Sequence, residues 1–407
     1  MYSLRRVVEN QEERGYVRRI HRELKPELEP TSFMAEADAD GSTLLFRVAG
    51  SELECVSGVV NSRGKLYELL EVRTDEEAYA KLINALSSGA HPAGFREYRF
   101  SEAFREYGGD LGSLPAIRFY RVDGGRYFTS SIVIAKTPEL DSFNASIHRL
   151  MVMDERHAAI RLVPRHLHRI YELNRAAGRE TPIAIVLGAH PLVELASSMS
   201  PPYGVFELEL VEHLGGRPLD VAYTPLYGLP VPAYASVVIE GRITREVARE
   251  GPFVDILVLP DRVRDQPVVA VDSIYVSRGG EYFHVILPGG GDHVFLMGFP
   301  REAAIWDSVR RAVPRVRKVR LTRASGMWLH AVISISKEAE GDGKTAIMAA
   351  FAAHPSLKHV VVVDDDVDPD RPEEVEWAIA TRLQASRGLV VVRSARGSTL
   401  DPSSEDG

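Results

Sequence analysis

The sequence predicts a multidomain α/β protein, and three observations support this prediction. At 407 residues the chain exceeds the size of one ordinary hydrophobic core. Strand signals dominate from about residue 117 to residue 296, whereas strands and helices alternate after Pro300. A loop rich in Gly and Asp, at 108–112, separates the strand-rich part from an N-terminal αβ segment. We therefore predict domains at 1–112, 113–297 and 298–397, followed by a disordered tail at 398–407.

The N-terminal domain is predicted to contain two helices and two strands. Its second helix is the better marked, because Thr74 and Glu77 form a capping box and Gly89 supplies a C-terminal stop. The other elements are a helix opened by Ser3 and ended by Gly15, and strands at 42–48 and 53–60.

The middle domain is predicted to be a barrel or a sandwich, because many short apolar runs are separated by Gly and Pro. Its strands are predicted at 128–135, 143–153, 183–187, 236–239, 254–258, 268–276 and 282–287. The C-terminal domain is predicted to be an open α/β sheet. Its helices are predicted at 301–313, 345–353 and 373–384, and its strands at 315–321, 328–336, 358–363 and 389–393.

Composition excludes several classes of protein. With 45% hydrophobic and 26% charged residues, the chain has the composition of a soluble globular protein. No apolar run approaches the roughly 20 residues that a membrane helix needs, so we expect a cytoplasmic protein without a membrane partner. The single cysteine, Cys55, excludes an internal disulfide framework and a Cys-based zinc site. The net charge of −8 argues against nucleic acid as a partner.

One stretch of the middle domain places polar and charged side chains on two consecutive predicted strands. The two-residue period of a strand puts Asn144 and Ser146 on one face. Arg149 has the opposite parity and joins that face only if the strand bends or bulges near Ile147, a distortion common beside active sites. His166 falls near the start of a helix, a location that suits an anion or a phosphate.

A second motif lies in the C-terminal domain. Gly343-Lys344-Thr345 follows a predicted strand, opens a helix and precedes a strand that ends in three aspartates. A phosphate-binding loop, however, needs a glycine five residues before its second glycine, and position 338 is Glu. A nucleoside triphosphatase is therefore an alternative from another class. The simpler interpretation is an ordinary strand-turn-helix with an acidic rim.

Four groups of residues, taken together and in order, resemble the UbiD family of prenylated-flavin decarboxylases: Asn144-x-Ser146-x-x-Arg149, Arg165-His166, Glu207 within VFELEL, and Glu250-Gly-Pro-Phe-Val-Asp255. The resemblance extends over nearly the whole chain. The short length and the segments LPGGGDH and MGFPREA resemble the archaeal-type branch that includes trans-anhydromevalonate phosphate decarboxylases. The resemblance implies that the middle domain is a flavin-reductase-like split β-barrel, flanked by the N-terminal αβ domain and the C-terminal α/β domain.

The resemblance also implies a divalent metal, Mn²⁺ or Mg²⁺, held by Asn144, His166 and Glu207 and bridging to the phosphate of prenylated FMN. One imidazole with two oxygen donors forms a mostly hard site, which suits these ions better than structural zinc. K⁺ is a further candidate ion. The implied cofactor-binding residues are Asn144, Ser146, Ile147, Arg149, Arg165, His166 and Glu207.

The acid–base network that the resemblance implies is an arginine with two acidic residues five positions apart, namely Arg149, Glu250 and Asp255. Asp255 would protonate the carbon that loses CO₂, and Glu250 would hold Arg149 near the substrate carboxylate. The chain departs from the family pattern by having Asp instead of Glu at the donor position. It also has Gly-Gly-Asp-His at 290–293 in place of Arg-Pro-Pro-Asp-Glu. The glycines would remove bulk at the mouth of the pocket, which is compatible with a small aliphatic substrate.

The sequence therefore predicts a non-oxidative decarboxylase that uses prenylated FMN and a divalent metal. The predicted reaction converts trans-anhydromevalonate 5-phosphate into isopentenyl phosphate and CO₂, in an archaeal-type mevalonate pathway. The alternatives are an aromatic-acid decarboxylase of the 4-hydroxybenzoate type and a non-catalytic flavin-binding protein. The predicted partners are an unsaturated acid, a flavin prenyltransferase that supplies the cofactor, and further copies of the chain in a homo-oligomer.

Overall fold

The structure, a computed structural model, describes residues 1–88 and 94–404. The predicted stop at Gly89 lies outside these residues. The chain divides into two compact units, one formed by Met1–Arg73 with Asn84–His293 and the other by Thr74–Ile83 with Val294–Gly407. No helix within the described ranges is long and apolar enough to cross a bilayer. The predicted boundaries near 112 and 297 stay predictions.

The elements alternate along the N-terminal part of the chain. They are α1 (Leu4–Glu13), β1 (Val17–Leu24), α2 (Glu29–Asp40), β2 (Thr43–Val48), β3 (Glu54–Ser57), α3 (Arg63–Leu70), α4 (Asp75–Ser88), β4 (Arg96–Glu97), α5 (Phe100–Ala103) and β5 (Phe104–Glu106).

The middle of the chain is dominated by strands. Its elements are β6 (Tyr127–Phe128), β7 (Ile132–Lys136), β8 (Phe143–Ile147), β9 (Leu150–Val152), β10 (His157–Ile160), α6 (His166–Ala176), β11 (Thr181–Leu187), α7 (Pro191–Ser198), α8 (Leu210–Gly215), β12 (Asp220–Tyr223), β13 (Pro230–Pro232), β14 (Val237–Glu250), β15 (Phe253–Val254), β16 (Pro260–Asp261), β17 (Arg264–Ser277) and β18 (Phe283–His284).

The C-terminal part alternates again. Its elements are α9 (Gly291–Ala312), β19 (Val316–Leu321), β20 (His330–Ile335), α10 (Asp342–Ala353), β21 (His359–Asp364), α11 (Pro372–Arg382) and α12 (Ala385–Gly388).

Helix starts follow local sequence signals. The Ser3 side chain accepts a hydrogen bond from the Arg6 main-chain N–H and caps α1. The Thr74 hydroxyl accepts one from the Glu77 N–H, which is one half of the predicted capping box. Pro372 occupies the first turn of α11, where its missing N–H costs nothing.

A nine-stranded antiparallel sheet forms the middle of the first unit, with strand order β6-β9-β10-β17-β14-β11-β7-β8 and β5 paired to β17. The long strands β14 and β17 pair along their lengths, and their register shifts after Glu240 and after Ile243. Such irregularities bend and twist a strand, so the sheet curls instead of lying flat. The predicted series of short strands is thus largely confirmed, although the run at 236–239 extends to Glu250, the run at 143–153 is divided into β8 and β9, and the run at 254–258 is a strand only up to Val254.

The core of the first unit lies against this curled sheet. Alternate residues of neighbouring strands, such as Ile183 and Ile185 on β11 and Val237 and Ile239 on β14, enter one large buried cluster. A smaller mixed sheet, with strand order β1-β2-β3-β18, adds Leu44 and other side chains to the same cluster. The first unit therefore combines the sheet that carries the candidate site with most of the N-terminal αβ segment.

The second unit contains a mixed three-stranded sheet, in which β20 pairs antiparallel with β19 and parallel with β21. Two sequence predictions in this part of the chain are wrong. Helix α9 starts at Gly291 and not after Pro300, because apolar residues on both sides of the proline are buried and their packing outweighs one lost hydrogen bond. The predicted strand at 389–393 does not form among the described residues, and Val391 is 69% exposed.

The segment predicted to be a disordered tail makes contacts in its described part. The Trp328 indole N–H donates to the Ser398 hydroxyl at 3.3 Å, and the Lys358 ammonium donates to Asp401 at 2.9 Å.

Candidate active site

Asn144 and Ser146 lie on one face of β8, as the strand alternation predicts. Asn144 pairs with Ala135 and Ser146 with Val133 on β7. The Ser146 Oγ is 3.2 Å from the Asn144 Oδ1. The strand ends at Ile147, and the chain leaves β7 before β9 begins at Leu150, so the backbone breaks where the sequence predicts a bend.

Glu207 lies close to this face although it is distant in sequence. It begins a short 3-10 helix, and its side chain is 2% exposed. Its Oε1 accepts a hydrogen bond from the Asn144 Nδ2 at 2.8 Å, and its Oε2 accepts one from the Ala145 main-chain N–H at 2.7 Å. Burial raises the pKa of Glu207, while the neighbouring His166 opposes this shift.

His166 completes the group as the first residue of α6. Its Nδ1 lies 3.8 Å from the Glu207 Oε1, and its ring packs edge-on against Tyr203. The structure therefore brings together the three residues for which the sequence predicts a metal site. Among the described residues no three His, Cys, Asp or Glu side chains form a metal-binding group. The candidate metal group contains two side chains of these types, His166 and Glu207, and its third donor is the amide of Asn144.

The donor set fits a hard divalent cation. It combines one imidazole nitrogen with carboxylate and amide oxygens, and Mn²⁺ and Mg²⁺ accept such a mixture. The carboxylate of Glu207 is almost fully buried, and a buried carboxylate needs a compensating positive charge. The helix α6 also begins here, immediately after Arg165, and the first N–H groups of a helix suit a phosphate.

Arg149 is the centre of a second group. Its guanidinium forms a fork with Glu250, in which Nε donates to Oε1 and Nη2 donates to Oε2, both at 2.9 Å. Its Nη1 donates to the Asp255 Oδ2, and the guanidinium stacks on the Phe253 ring at 4.7 Å. The side chains of Arg149 and Glu250 are 8% and 0% exposed. The structure thus brings together all three residues of the predicted acid–base network.

A third carboxylate, Asp261, also binds Arg149, and the sequence analysis missed it. The Arg149 Nη2 donates to the Asp261 Oδ2 at 2.9 Å, and Arg264 donates to the other oxygen. Burial opposes ionisation, but the hydrogen bond from Arg264 and the charge of Arg149 lower the pKa of Asp261 below its ordinary value. No sequence motif marks Asp261, because it reaches Arg149 only through the pairing of β15 with β16.

The hydrogen bonds of Arg149 limit how it can hold a ligand. A guanidinium has five N–H groups, and four of them donate to Glu250, Asp255 and Asp261. Burial alone would lower the pKa of Arg149, but the hydrogen bond with Glu250 and the surrounding carboxylates raise it. Arg149 therefore stays charged. The described residues accept hydrogen bonds from four of its five N–H groups, and the second N–H on Nη1 is left for a substrate carboxylate.

Asp123 fixes the loop that carries Asp255. Its Oδ1 accepts a hydrogen bond from the Val254 N–H at 2.9 Å, and its Oδ2 accepts one from the Tyr120 N–H at 2.8 Å. The Asp255 side chain is 17% exposed, so it lies in the group around Arg149 and still reaches solvent. This combination suits a residue that exchanges protons.

His293 is a further neighbour of Asp255 that the sequence analysis assigned no role. Its Nε2 lies 3.9 Å from the Asp255 Oδ1, and its Nδ1 accepts a hydrogen bond from the Gly289 N–H at 3.1 Å. Burial lowers the pKa of His293, which favours a neutral ring with its one N–H on Nε2. His293 can therefore donate toward Asp255 or toward a ligand beside it.

The glycines before His293 lie in tightly packed positions. A Cβ at Gly291 would lie 2.5 Å from the Asn61 Cα, and a Cβ at Gly290 would lie 2.9 Å from the Leu287 Cβ. Close packing thus requires these glycines, and the prediction that they also remove bulk at the mouth of the pocket stays a prediction.

The remaining predicted cofactor residues lie near the metal group. Ile147 is half-buried at the end of β8, and Arg165 precedes α6 with its Nη1 3.4 Å from the Ser200 Oγ. Both α6 and the 3-10 helix of Glu207 contact β8.

The Gly343-Lys344-Thr345 motif does not form a phosphate loop. All three residues lie inside α10, which begins at Asp342. The main-chain N–H groups of Glu338 and Ala339, which a phosphate would need, donate to the Asp342 carboxylate. The structure does not support the triphosphatase alternative.

Two solved structures of a UbiD-class enzyme have this architecture. The chain is similar to the UbiD-class enzyme HmfF from Pelotomaculum thermopropionicum in complex with FMN, with a TM-score of 0.94 and 37% identity, covering 99% of this chain and 91% of that chain. An evolved dimeric form of HmfF in complex with prFMN matches with a TM-score of 0.90 and 36% identity, covering 95% of this chain and 91% of that chain.

Family models and relatives define the family. Models of the N-terminal, Rift-related and C-terminal domains of 3-octaprenyl-4-hydroxybenzoate carboxy-lyase match residues 8–86, 96–291 and 294–407. The anhydromevalonate phosphate decarboxylase of Aeropyrum pernix is 52% identical over 97% of this chain and 88% of its own length. That of Methanothermobacter thermautotrophicus is 39% identical, over 94% and 89% respectively. The chain belongs to the UbiD family of carboxy-lyases.

Proposed function

We propose that this protein is a decarboxylase that converts trans-anhydromevalonate 5-phosphate into isopentenyl phosphate and CO₂. The observation that carries the proposal is the 52% identity, over nearly the full chain, with a relative named for that substrate. Four further archaeal relatives with the same name, 39–45% identical, support it.

The residues around Arg149 suit the chemistry of carboxylate loss. The one N–H that Arg149 still offers would orient the substrate carboxylate without gripping it bidentately. A second hydrogen bond from Arg149 would stabilise the charged carboxylate of the bound substrate, and this group must become neutral CO₂ in the reaction. Glu250 holds the guanidinium in place, and Asp255 would deliver the proton to the carbon that CO₂ leaves.

The cofactor of this reaction would be prenylated FMN, bound with Mn²⁺ or Mg²⁺, and K⁺ is a further candidate ion. When bound, the modified flavin supplies the electron sink for CO₂ loss. Asn144, His166 and Glu207 would hold the divalent metal, with Ser146, Ile147, Arg149 and Arg165 along the flavin. The solved complexes of HmfF with FMN and prFMN support a flavin here.

The architecture and partners follow from the same proposal. The curled sheet would belong to a flavin-reductase-like split-barrel domain at 113–297. In the sequence this domain follows a domain at 1–112 and precedes a domain at 298–397 and a tail at 398–407. A flavin prenyltransferase in the same cytoplasm would supply the cofactor. A homo-oligomer is supported by the dimeric form of HmfF and by exposed apolar side chains such as Leu389 and Val391.

The test is to produce the protein with a flavin prenyltransferase and offer two substrates separately. We expect isopentenyl phosphate and CO₂ from trans-anhydromevalonate 5-phosphate, detected by mass spectrometry, and no CO₂ from 4-hydroxybenzoate. The reverse result would establish the aromatic-acid alternative. Full occupancy by prenylated FMN without CO₂ from either acid would favour a non-catalytic flavin-binding protein.

A further inference from the structure

His148 follows the last residue of β8 and precedes Arg149 in the sequence, and none of the roles above uses it. Its side chain is buried and makes two contacts. The ring Nδ1 lies 2.9 Å from the main-chain oxygen of Arg161, and the ring Nε2 lies 2.9 Å from the Ser146 Oγ. Neither partner is a carboxylate that would hold a second proton on the ring, and the ordinary histidine pKa of about 6.5 leaves the ring neutral above pH 7.

The two contacts determine which ring nitrogen carries the hydrogen. A carbonyl oxygen can only accept, so the Nδ1 beside Arg161 must donate. A neutral imidazole has one N–H, so the Nε2 of His148 must accept. The group facing it is the Ser146 hydroxyl, whose single hydrogen therefore points at His148.

This assignment changes the meaning of the contact between Ser146 and Asn144. Their oxygens Oγ and Oδ1 are 3.2 Å apart, but the hydroxyl has no second hydrogen to place between them. The Asn144 Nδ2 donates to the Glu207 Oε1, and the Asn144 Oδ1 lies on the side of Ser146. Two oxygens with lone pairs thus lie side by side and call for an electropositive partner.

We propose that His148 is a positioning residue for the metal and flavin site, because it holds the Ser146 hydrogen away from Asn144 and so presents two acceptor oxygens to a divalent cation. Without His148, the hydroxyl would donate to Asn144 Oδ1 and occupy a lone pair that the cation needs. This inference rests on the proposed metal site. Residues that orient metal ligands in this way contribute roughly 10–100-fold to metal affinity.

The sharpest variant is His148→Asn, whose amide N–H can still donate to the Arg161 carbonyl but whose shorter side chain has no acceptor at the position of the ring Nε2. The measurement is the Kd of Mn²⁺ for FMN-loaded protein, from the electron paramagnetic resonance signal of free Mn²⁺, which needs no turnover. We expect the Kd of H148N to rise about tenfold or more. His157→Asn is the matched control, because the His157 side chain is 44% exposed and pairs with Asp154, and the Kd of H157N should equal that of the wild type.

Ser146→Ala provides an independent variant that leaves His148 intact. S146A should also bind Mn²⁺ more weakly, because one acceptor oxygen is gone. Since His148 acts through Ser146, the double variant H148N/S146A should bind like S146A alone. A purely structural role would instead lower the Tm of both variants and leave their Kd values unchanged.

Three results would overturn the inference. The first is a wild-type Kd in H148N or in S146A. The second is a double variant whose loss is the product of the two single losses, because independent effects multiply. The third is absence of Mn²⁺ binding by the wild type, which would also overturn the proposed metal site, whereas the first two leave that site in place.

Discussion

Replacing Glu250 by Gln tests whether its fork with Arg149 supports catalysis. The two hydrogen bonds of the fork are both 2.9 Å long, and the side chains are 0% and 8% exposed, so solvent screens them little. Removing one charge from a buried pair costs about 3–5 kcal/mol. Gln keeps one acceptor oxygen, and Arg149 keeps Asp255 and Asp261, so the low end of about 3 kcal/mol applies here.

If this cost falls on the transition state, kcat/KM should decrease about 100-fold, since each 1.36 kcal/mol is a factor of ten. The assay is CO₂ release by enzyme loaded with prenylated FMN, with circular dichroism to verify folding. Glu246→Gln is the matched control, because Glu246 lies on the same strand but is exposed. A correctly folded, cofactor-loaded E250Q variant within threefold of E246Q would refute the reasoning.

Three further predictions concern other residues. Asp261→Asn removes a negative charge beside the guanidinium, so Arg149 should hold the substrate carboxylate more tightly in the ground state. KM and kcat should therefore both fall severalfold in steady-state kinetics, and an unchanged KM would contradict this. His284, held between Glu194 and Asp292, has its pKa raised to about 10 although burial opposes the shift. Because the folded pKa exceeds the unfolded value of about 6.5, this stabilisation is complete below pH 6.5 and disappears as the pH rises through about 10. The Tm difference between wild type and H284Q should therefore shrink between pH 6 and pH 10, and a constant difference would exclude the charge network. Gly188→Ala should lower the free energy of unfolding by more than about 1 kcal/mol in urea, because φ is +68° and the new Cβ would meet a main-chain oxygen at 2.3 Å; a neutral result would show that the backbone can relax.

Short-range signals in the sequence determined much of the secondary structure and the candidate site. Ser3 and Pro372 mark helix starts, and alternation along β8 places Asn144 and Ser146 on one face. These features depend on neighbouring residues, so the sequence contains what is needed to predict them. The resemblance to the UbiD family then connected Glu207 and Asp255 to that strand, although no local rule does so.

Long-range packing decided the rest. Pro300 lies inside α9 because buried apolar residues outweigh its local preference, and the apolar residues at 389–393 form no strand because no described strand pairs with them. Asp261 and His148 gained their contacts only when separate strands and loops came together. The acceptor to which a buried hydroxyl or imidazole donates its hydrogen is set by residues from other parts of the chain. Only the tertiary structure could therefore assign those hydrogen bonds.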